Sequence, residues 1–343
     1  MSEDVVFSQQ EHLGVITLNR PKALNALTLE MVKAIAHQLK IWRDDVSIHA
    51  VIIRSTKGKA FCAGGDVIGI YNGRKDSPEQ MIFFKEEYRL NQLIHHYPKP
   101  YIALMDGFTM GGGVGISLHG SHPVASSSFI FAMPETIIGF FPDVGASYLL
   151  SKCPGKIGVY LGLTGHRLHA NEAYAAGLVK YLVESTEFDD VLDAMCQTDL
   201  SYDAHTRVSA CLDRFHKPTH SSAFTELQLK VDSAFAYNDM IALMSALEKH
   251  DDQWSQELIQ TLKQKSPLSL CVTFAQLNKA NEMSFDECIQ MDACLAYHFM
   301  RDNDFYEGVR ALLIDKDKSP QWSPKDLILV EPSQIKGYFT ENE

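Results

Sequence analysis

The sequence has little positive charge, no long apolar run and no organised cysteines, and each absence excludes a class of protein. With 31 Lys and Arg against 43 Asp and Glu, the formal net charge is -12, which argues against general nucleic-acid binding. No apolar run is long enough to cross a membrane. The seven cysteines form no CxxC pair, which is typical of reduced thiols in a reducing compartment. We therefore expect a globular protein with neither a nucleic-acid partner nor a membrane partner.

The first residues, MSEDVVFSQQEHLG, are acidic and contain no apolar run. This excludes a secretory signal, and the segment does not resemble a mitochondrial presequence. Together with the cysteine pattern, it predicts a cytoplasmic location.

Several motifs with known chemistry are also absent. The glycines at 111–115 do not fit the dinucleotide-binding pattern G-x-G-x-x-G, and no G-x-x-x-x-G-K-[ST] loop is present. His166 and His169 have no acidic or third ligand placed beside them, so we predict no metal site. Ser117 follows a glycine run but lies inside a predicted helix, and we do not propose it as a nucleophile. No resident cofactor is expected.

Strand and helix patterns alternate up to about residue 135. Apolar strands are predicted at 15–18, 50–54, 101–105 and 129–132. Thr28 is placed to cap a helix with an apolar face, formed by Leu29, Val32, Ile35, Leu39 and Trp42.

A further helix is predicted from Ser77 to about His95. On it Glu87 shares a face with Phe83, Leu90 and Ile94. The carboxylate of Glu87 is then either at the edge of the stripe and exposed, or turned into a site.

The second half has a different character. From about residue 188 the patterns are almost only helical, with helix starts at Ser266 and at the capping box of Ser284 and Glu287. The tail after Pro320 is predicted to be irregular. We therefore predict a core domain over residues 1–187 and a mainly helical region over residues 188–343 that packs on it.

Two glycine-rich loops each follow a predicted strand. The first contains Ala63-Gly64-Gly65, and the second is Gly111-Gly112-Gly113. Glycines at a junction between strand and helix let a ligand approach bare backbone N–H groups. Two carboxylates follow along the chain, Glu135 directly after Pro134 and Asp143 in the segment FFPDVG. An oxyanion site beside a carboxylate pair suits acyl chemistry.

These motifs and their order resemble those of the crotonase (enoyl-CoA hydratase/isomerase) superfamily. The matching segments lie in roughly the first 180 residues and are NRP with NAL at 19–27, KAFCAGGD at 59–66, MGGG at 110–113, PE at 134–135 and LTG at 163–165. The resemblance implies an α/β fold, namely a spiral of β-β-α units followed by a helical C-terminal region. It also implies an acyl-CoA thioester as substrate, with coenzyme A as part of the substrate. Members commonly form trimers, so the resemblance allows a homo-oligomer.

The resemblance also implies specific site residues. The N–H groups of Ala63 and Gly112 would bind the thioester oxygen, and Gly112 at a helix N-terminus fits that role. The coenzyme A moiety would run past a set of residues in two segments: Lys22, Ala23, Leu24, Ala63, Gly65 and Asp66. The alternatives are that the glycines only form tight turns and that Lys22 is a solvated surface lysine.

The chain departs from the hydratases of this superfamily at one position. Hydratases typically use two glutamates, and the first of them corresponds to Gly115, while the second corresponds to Glu135. The chain instead offers Asp143. The segments GGGVG and MPETIIGFFPDVG resemble the 3-hydroxyisobutyryl-CoA hydrolase branch, which contains thioesterases of valine breakdown. With FKEEY at 84–88 and DFYEGVRA at 304–311, this likeness covers nearly the whole chain.

The predicted function is therefore hydrolysis of an acyl-CoA thioester, with 3-hydroxyisobutyryl-CoA as the substrate. The resemblance to this branch implies that Glu87, Gly112, Glu135 and Asp143 are substrate contacts or catalytic groups. Glu135 would attack the thioester carbon or activate a water, and Asp143 would orient the substrate hydroxyl, the water or the leaving thiol. Structural alternatives are a helix N-cap for Asp143 and a helix start for Glu135. Functional alternatives are an enoyl-CoA hydratase or isomerase, and a non-catalytic acyl-CoA binding protein on the same scaffold.

Overall fold

The computed structural model describes residues 3–73, 78–219, 221–250 and 252–340, with the backbone alone for residues 78–80. The described residues form two compact units, each built from separate stretches of the chain. The first unit takes its residues from Met1–Asp66, Glu86–Phe131 and Leu168–Ser221, and the second from Val67–Lys85, Ala132–Arg167 and Ser222–Glu343. The predicted boundary at residue 187 coincides with no unit boundary, because it lies inside the stretch Leu168–Ser221 of the first unit.

The described residues contain ten strands in two sheets. The strands are β1 Val5–Gln10, β2 Leu13–Leu18, β3 Ala50–Ser55, β4 Ala60–Cys62, β5 Tyr101–Met105, β6 Phe108–Met110, β7 His122–Ala125, β8 Ile130–Ala132, β9 Leu168–His169 and β10 Tyr181–Leu182. The larger sheet has the order β1-β2-β3-β5-β7-β10, and the smaller one has the order β4-β6-β8-β9.

Helices connect these strands and make up most of the rest of the described chain. They are α1 Leu29–Asp44, α2 Val67–Asn72, α3 Pro78–His95, α4 Gly112–Gly115, α5 Ala146–Ser151, α6 Ile157–Thr164, α7 Ala170–Ala175, α8 Phe188–Gln197, α9 Ala204–Asp213, α10 Ser222–Ala234, α11 Met240–Leu247, α12 Gln253–Lys263, α13 Pro267–Ala280, α14 Phe285–Phe299, α15 Asp304–Val309 and α16 Pro332–Gly337. Short 3₁₀ turns occur at Pro21–Ala23, Glu135–Ile138, Ser185–Glu187 and Leu327–Leu329, and a π-helical turn at Arg310–Ile314.

The chain alternates between the two sheets. In the pairs β3 and β4, β5 and β6, and β7 and β8, the first strand joins the larger sheet and the second joins the smaller one. The pairings β2 with β3, β3 with β5, and β5 with β7 are parallel, so each pair is reached by a crossover. This repeat is the predicted spiral of β-β-α units, and the predicted fold class is confirmed.

The first unit has its core between the larger sheet and two helices. Apolar side chains of β2, β3 and β5 pack against α8 and α9, with Ile52, Val191 and Leu212 fully buried. Helix α1 begins as predicted, because the Thr28 side chain accepts a hydrogen bond from the Met31 N–H at 3.2 Å. Its buried face includes Trp42.

The second unit is held together by α5, α6 and α13 and by an aromatic cluster. The rings of the cluster have neighbouring centroids 4.5–5.5 Å apart and belong to Phe84, Phe140, Phe141, Phe299 and Phe305. Gly139 lies against the Asp304 carbonyl with a φ of +66°, so a side chain at this position would collide with backbone. The 3₁₀ turn Glu135–Ile138 is therefore pressed directly against α15.

The local structure differs from the sequence-based expectation at three places. Strand β1 was not predicted, because half of its side chains are exposed and it pairs through its backbone with β2. The helix after the glycine run is only the four residues Gly112–Gly115. The tail after Pro320 is more ordered than predicted, since it contains the turn Leu327–Leu329 and helix α16.

The predicted helix that carries Glu87 is confirmed as α3, although Ser77, its predicted first residue, lies outside the described residues. Glu87 is buried on the same face as Phe83, Leu90 and Ile94. The inward orientation of Glu87 is thus the correct one of the two alternatives.

We expect Gly14→Ala to destabilise the protein, because an added Cβ would lie 2.6 Å from the Trp42 ring. The ring is buried and cannot move without disturbing the core, so the free energy of unfolding should fall by about 2 kcal/mol, as for other overpacked cores. Urea denaturation measures this value. Gly337→Ala is the matched control, since no atom lies within 4 Å of its added Cβ. Equal stability of the two variants would contradict this packing argument.

Candidate active site

Parallel pairing of β4 with β6 places both glycine-rich loops at one edge of the smaller sheet. Ala60 pairs with Phe108, and Cys62 pairs with Thr109. Because parallel strands end at the same edge, the loops that follow them are neighbours. A Cβ built on Gly112 would lie 3.3 Å from the Gly65 nitrogen. We call Gly65, Gly112 and Glu87 the glycine-loop group; all three belong to the first unit.

The N–H of Ala63, predicted to bind the thioester oxygen, has another partner. It donates to the Leu24 carbonyl oxygen at 3.0 Å, inside a set of hydrogen bonds that ties the first loop to the segment before α1. The Asn25 side chain adds to this set by donating to the Ala60 carbonyl at 3.0 Å. An N–H that is already hydrogen-bonded within the fold does not serve as an oxyanion donor, so the prediction for Ala63 is corrected.

The N–H of Gly65, two residues after Ala63, has a different setting. Gly65 forms a parallel bridge with Leu27, in which the Leu27 N–H donates to Gly64 at 2.8 Å and the Asp66 N–H donates to Leu27 at 2.9 Å. In parallel pairing the residue between these two bonds turns its own N–H to the opposite side. Among the described residues, no backbone acceptor is hydrogen-bonded to the Gly65 N–H.

The Gly112 N–H has a similar setting. Gly112 is the first residue of α4, and the first N–H groups of a helix have no intrahelical acceptor. Its predecessor Gly111 has a φ of +49°, a conformation that favours glycine. Among the described residues, the N–H groups of Gly65 and Gly112 therefore lie on neighbouring loops without a backbone acceptor.

Glu87 lies directly beside the Gly112 turn. A Cβ built on Gly112 would collide with Glu87 Oε1, so a larger residue there would force the Glu87 carboxylate to shift. The Glu87 side chain is 2% exposed. Its charge also helps to raise the pKa of the Cys62 thiol to about 12, although burial of the thiol is the larger cause. The structure thus brings Glu87 and Gly112 together.

The residues predicted to contact coenzyme A lie in the segment before α1 and in the first glycine-rich loop. Lys22 and Ala23 lie in the 3₁₀ turn Pro21–Ala23, and Lys22 is exposed. Leu24 has a φ of +51° and a partly exposed side chain. Asp66 forms an ion pair with Arg20 at 3.1 Å, which joins this segment to the first glycine loop. The segment and the loop are neighbours in the first unit.

The two predicted catalytic acids are buried in the second unit. Glu135 is the first residue of its 3₁₀ turn and is 8% exposed, and Asp143 is 6% exposed. The turn is fixed by the Thr136 hydroxyl, which donates to the Leu163 carbonyl at 3.0 Å. The Asp143 side chain is not the N-cap of α5, because Gly145 occupies that position. We call Glu135 and Asp143, with the nearby Lys265, the carboxylate group.

Electrostatics within the carboxylate group favour a proton on Glu135. Burial raises the pKa of Glu135 well above its ordinary value, and the negative charge of Asp143 raises it further. The ammonium of Lys265 opposes both effects. Burial in turn lowers the pKa of Lys265 to about 8, while Glu135 acts to raise it. A carboxylate with a strongly perturbed pKa beside a specific charged partner is typical of functional sites.

Sequence reasoning missed Lys265. The residue directly precedes the capping Ser266 of α13, in a helical region that gives no local sign of a site. It lies 130 positions after Glu135 in the sequence, so only the folded second unit reveals the interaction.

Neither a metal site nor a membrane span is found in the described part of the chain. No three side chains of His, Cys, Asp or Glu there are grouped so that they would bind a metal ion. None of its helices has the length and the apolar character needed to traverse a bilayer.

Comparison with known proteins identifies the family. The family model described as enoyl-CoA hydratase/isomerase matches residues 13–339. The chain belongs to this family. Solved structures similar to this chain include a carnitinyl-CoA dehydratase from Mycobacterium thermoresistibile, with 33% identity, a TM-score of 0.92 and coverage of 100% of this chain and 98% of that one. An enoyl-CoA hydratase from Rhodobacter sphaeroides has 34% identity, a TM-score of 0.91 and coverage of 98% and 97%.

The curated proteins similar to this chain are named as hydrolases, unlike the two solved structures. The mitochondrial 3-hydroxyisobutyryl-CoA hydrolase of Xenopus tropicalis is 42% identical over 337 residues, which cover 95% of this chain and 86% of the relative. The human protein of the same name is 40% identical over 347 residues, with coverage of 98% and 89%. The likeness to the hydrolase branch thus extends over nearly the whole chain.

These relatives contradict the predicted cytoplasmic location, because both are named as mitochondrial proteins. The prediction relied in part on reduced thiols, and all seven cysteines are indeed free. Free thiols indicate a reducing compartment but do not distinguish one such compartment from another.

We expect Asp143→Asn to lower the pKa of Glu135, since it removes a negative charge that favours the protonated form. Lys265→Met should raise the same pKa, because it removes the opposing positive charge. Carboxyl NMR of protein labelled at the glutamate side-chain carbons, followed as a function of pH, measures both changes. Asp190→Asn, at an exposed position of the first unit, is the control. An unchanged Glu135 titration in both site variants would contradict the proposed coupling.

Proposed function

We propose that this chain is an acyl-CoA thioester hydrolase whose substrate is 3-hydroxyisobutyryl-CoA. The observation that carries the proposal is the buried pair Glu135 and Asp143 together with Gly115, which leaves α4 without the carboxylate that hydratases of the family use. The proposal is supported by relatives that bear the hydrolase name and match 95–98% of the chain.

In the proposed mechanism the N–H groups of Gly65 and Gly112 bind the thioester oxygen. Negative charge develops on this oxygen when the carbonyl carbon becomes tetrahedral, and preorganised donors stabilise it without reorganising. Donors of this kind typically contribute about 3 kcal/mol each to the stability of the transition state. Their neighbouring positions on two loops support this assignment.

Glu135 provides the reactive carboxylate in either of two routes. In one, its oxygen attacks the thioester carbon, the C–S bond breaks, and water then cleaves the resulting anhydride. In the other, it takes a proton from a water whose oxygen attacks the same carbon. Both routes add one water across the C–S bond and release a carboxylic acid and the thiol of coenzyme A. The raised pKa makes Glu135 a stronger base, and Lys265 favours its ionised form.

Asp143 and Glu87 are assigned to substrate orientation in this proposal. Asp143 orients the β-hydroxyl group, the attacking water or the leaving thiol. Glu87, which is buried beside Gly112, also binds the hydroxyl. The segment from Lys22 to Leu24 and the loop with Gly65 and Asp66 contact the coenzyme A moiety.

A second candidate function is hydration of an enoyl-CoA. The names of the two solved structures, a dehydratase and a hydratase at 33% and 34% identity, favour it. The absence of a side chain at Gly115 disfavours it, because addition of water to a double bond uses a base and an acid on one face of that bond.

We expect the protein to release free thiol from 3-hydroxyisobutyryl-CoA and to act poorly on crotonyl-CoA. A thiol-reactive dye follows the first reaction, and loss of the conjugated enoyl absorbance follows the second. Rapid hydration without thiol release would replace the hydrolase assignment by the second candidate. Binding of coenzyme A esters with no turnover of any of them would instead indicate a binding protein.

We expect Glu135→Gln to lower kcat for thiol release by at least about 100-fold, and Asp143→Asn by at least about 10-fold, because general acid–base groups contribute at this scale. Steady-state kinetics measure both effects. Glu282→Gln, at an exposed position of the second unit, is the matched control and should leave kcat unchanged. Near-normal turnover by Glu135→Gln would remove this residue from the mechanism.

A further inference from the structure

The segment that carries Asp143 has an unfavourable backbone conformation. Val144 has a φ of +55° and Gly145 a φ of +73°. A β-branched residue rarely adopts positive φ, and such a conformation persists only where the surrounding structure holds it. The segment 142–145 therefore needs specific contacts to keep Asp143 in place.

Two fully buried polar side chains supply these contacts. Asp292 on α14 accepts a hydrogen bond from the Gly145 N–H through Oδ2 at 2.7 Å. Gln276 on α13 donates through Nε2 to the Pro142 carbonyl at 2.9 Å and to Asp292 Oδ1 at 3.0 Å. The residue before Asp143 and the residue after Val144 are thus bonded to one linked pair of side chains.

The burial of Asp292 calls for a functional explanation. Its carboxyl is completely buried, and it accepts hydrogen bonds from two neutral groups, the Gly145 N–H and the Gln276 amide. Burial raises the pKa of Asp292 well above its ordinary value, and the charge of Asp143 adds to this effect. Burial of a carboxyl without an opposite charge has a large desolvation free energy, and apolar residues of similar volume would often make the core more stable.

We propose that Asp292 and Gln276 are positioning residues, which clamp the strained segment 142–145 and so fix the Asp143 side chain for the reaction. Neither residue is assigned a contact with the substrate, and both act through Asp143. This inference rests on the proposed function.

The test compares Asp292→Ala, Asp292→Asn and Gln276→Met. Asp292→Ala removes the acceptor for the Gly145 N–H and should lower kcat for thiol release by about 10- to 100-fold, as small misplacements of catalytic groups do. Asp292→Asn keeps one acceptor oxygen for the Gly145 N–H, but its amide nitrogen cannot accept from Gln276, so its kcat should fall less than that of Asp292→Ala. Gln276→Met should fall between these two, and it replaces Asp292→Ala if that variant does not fold. Melting temperatures are measured in parallel.

A double variant separates positioning from a merely structural role. In an Asp143→Asn background, Asp292→Ala should change kcat by less than about 3-fold, since the side chain that it positions is already inactive. An equal loss of kcat in both backgrounds, or a loss in Asp292→Asn as large as that in Asp292→Ala, would overturn the inference.

Hydrogen exchange keeps this test distinct from that of the proposed function. Amides of the peptide that spans 142–146 should exchange faster in Asp292→Ala than in wild type or in Glu282→Gln. If the wild type releases no thiol, the hydrolase proposal fails, and the positioning role in catalysis fails with it. Faster exchange in Asp292→Ala would still show that Asp292 holds the segment 142–145. Unchanged exchange refutes the clamp even in an active enzyme.

Discussion

The parallel pairing of β4 with β6 is the constraint on which the glycine-loop group depends. It lets two loops leave the same edge of the smaller sheet, and it brings Gly113 so close to the Cys62 carbonyl that no larger residue fits. The N–H groups of Gly65 and Gly112 become neighbours as a result. Fixed backbone dipoles of this kind need no reorganisation when charge develops on a bound oxygen, which is why a rigid sheet edge suits the role.

In the carboxylate group, several interactions are unfavourable for stability. Burial and the charge of Asp143 both raise the pKa of Glu135, and Lys265 counteracts them. The neighbouring segment adds backbone strain at Val144 and a buried carboxyl at Asp292. A protein selected only for stability would avoid each of these features. Their concentration around two residues of one unit is typical of a functional site.

Sequence patterns predicted those features that depend on neighbouring residues. Thr28, Ser266 and Ser284 accept the helix-capping hydrogen bonds expected of them, since capping involves residues only three positions apart. The buried side of α3 was predicted because helical periodicity places Glu87 among apolar side chains. The family was identified from the order of its motifs, because this order does not depend on the residues between them.

Features that depend on distant parts of the chain were not predictable in this way. The choice between Ala63 and Gly65 as the proposed oxyanion donor depends on the hydrogen bonds to Leu24 and Leu27, which no local pattern specifies. Asp292 lies on a helix 149 positions after Asp143, and its burial contradicts the usual exposure of aspartate. Such residues break local rules because tertiary contacts favour them, and these contacts exist only in the folded unit.

Infrared difference spectroscopy tests the central claim most directly, namely that the N–H groups of Gly65 and Gly112 polarise the thioester carbonyl. The carbonyl carbon of 3-hydroxyisobutyryl-CoA is labelled with ¹³C and the ester is bound to Glu135→Gln, which is expected to turn it over very slowly. The account predicts a C=O stretch at lower frequency than in free solution, and a smaller shift when Gly112→Ala is added. A bound carbonyl that absorbs at the frequency of the free ester, or a shift that Gly112→Ala leaves unchanged, would contradict the account.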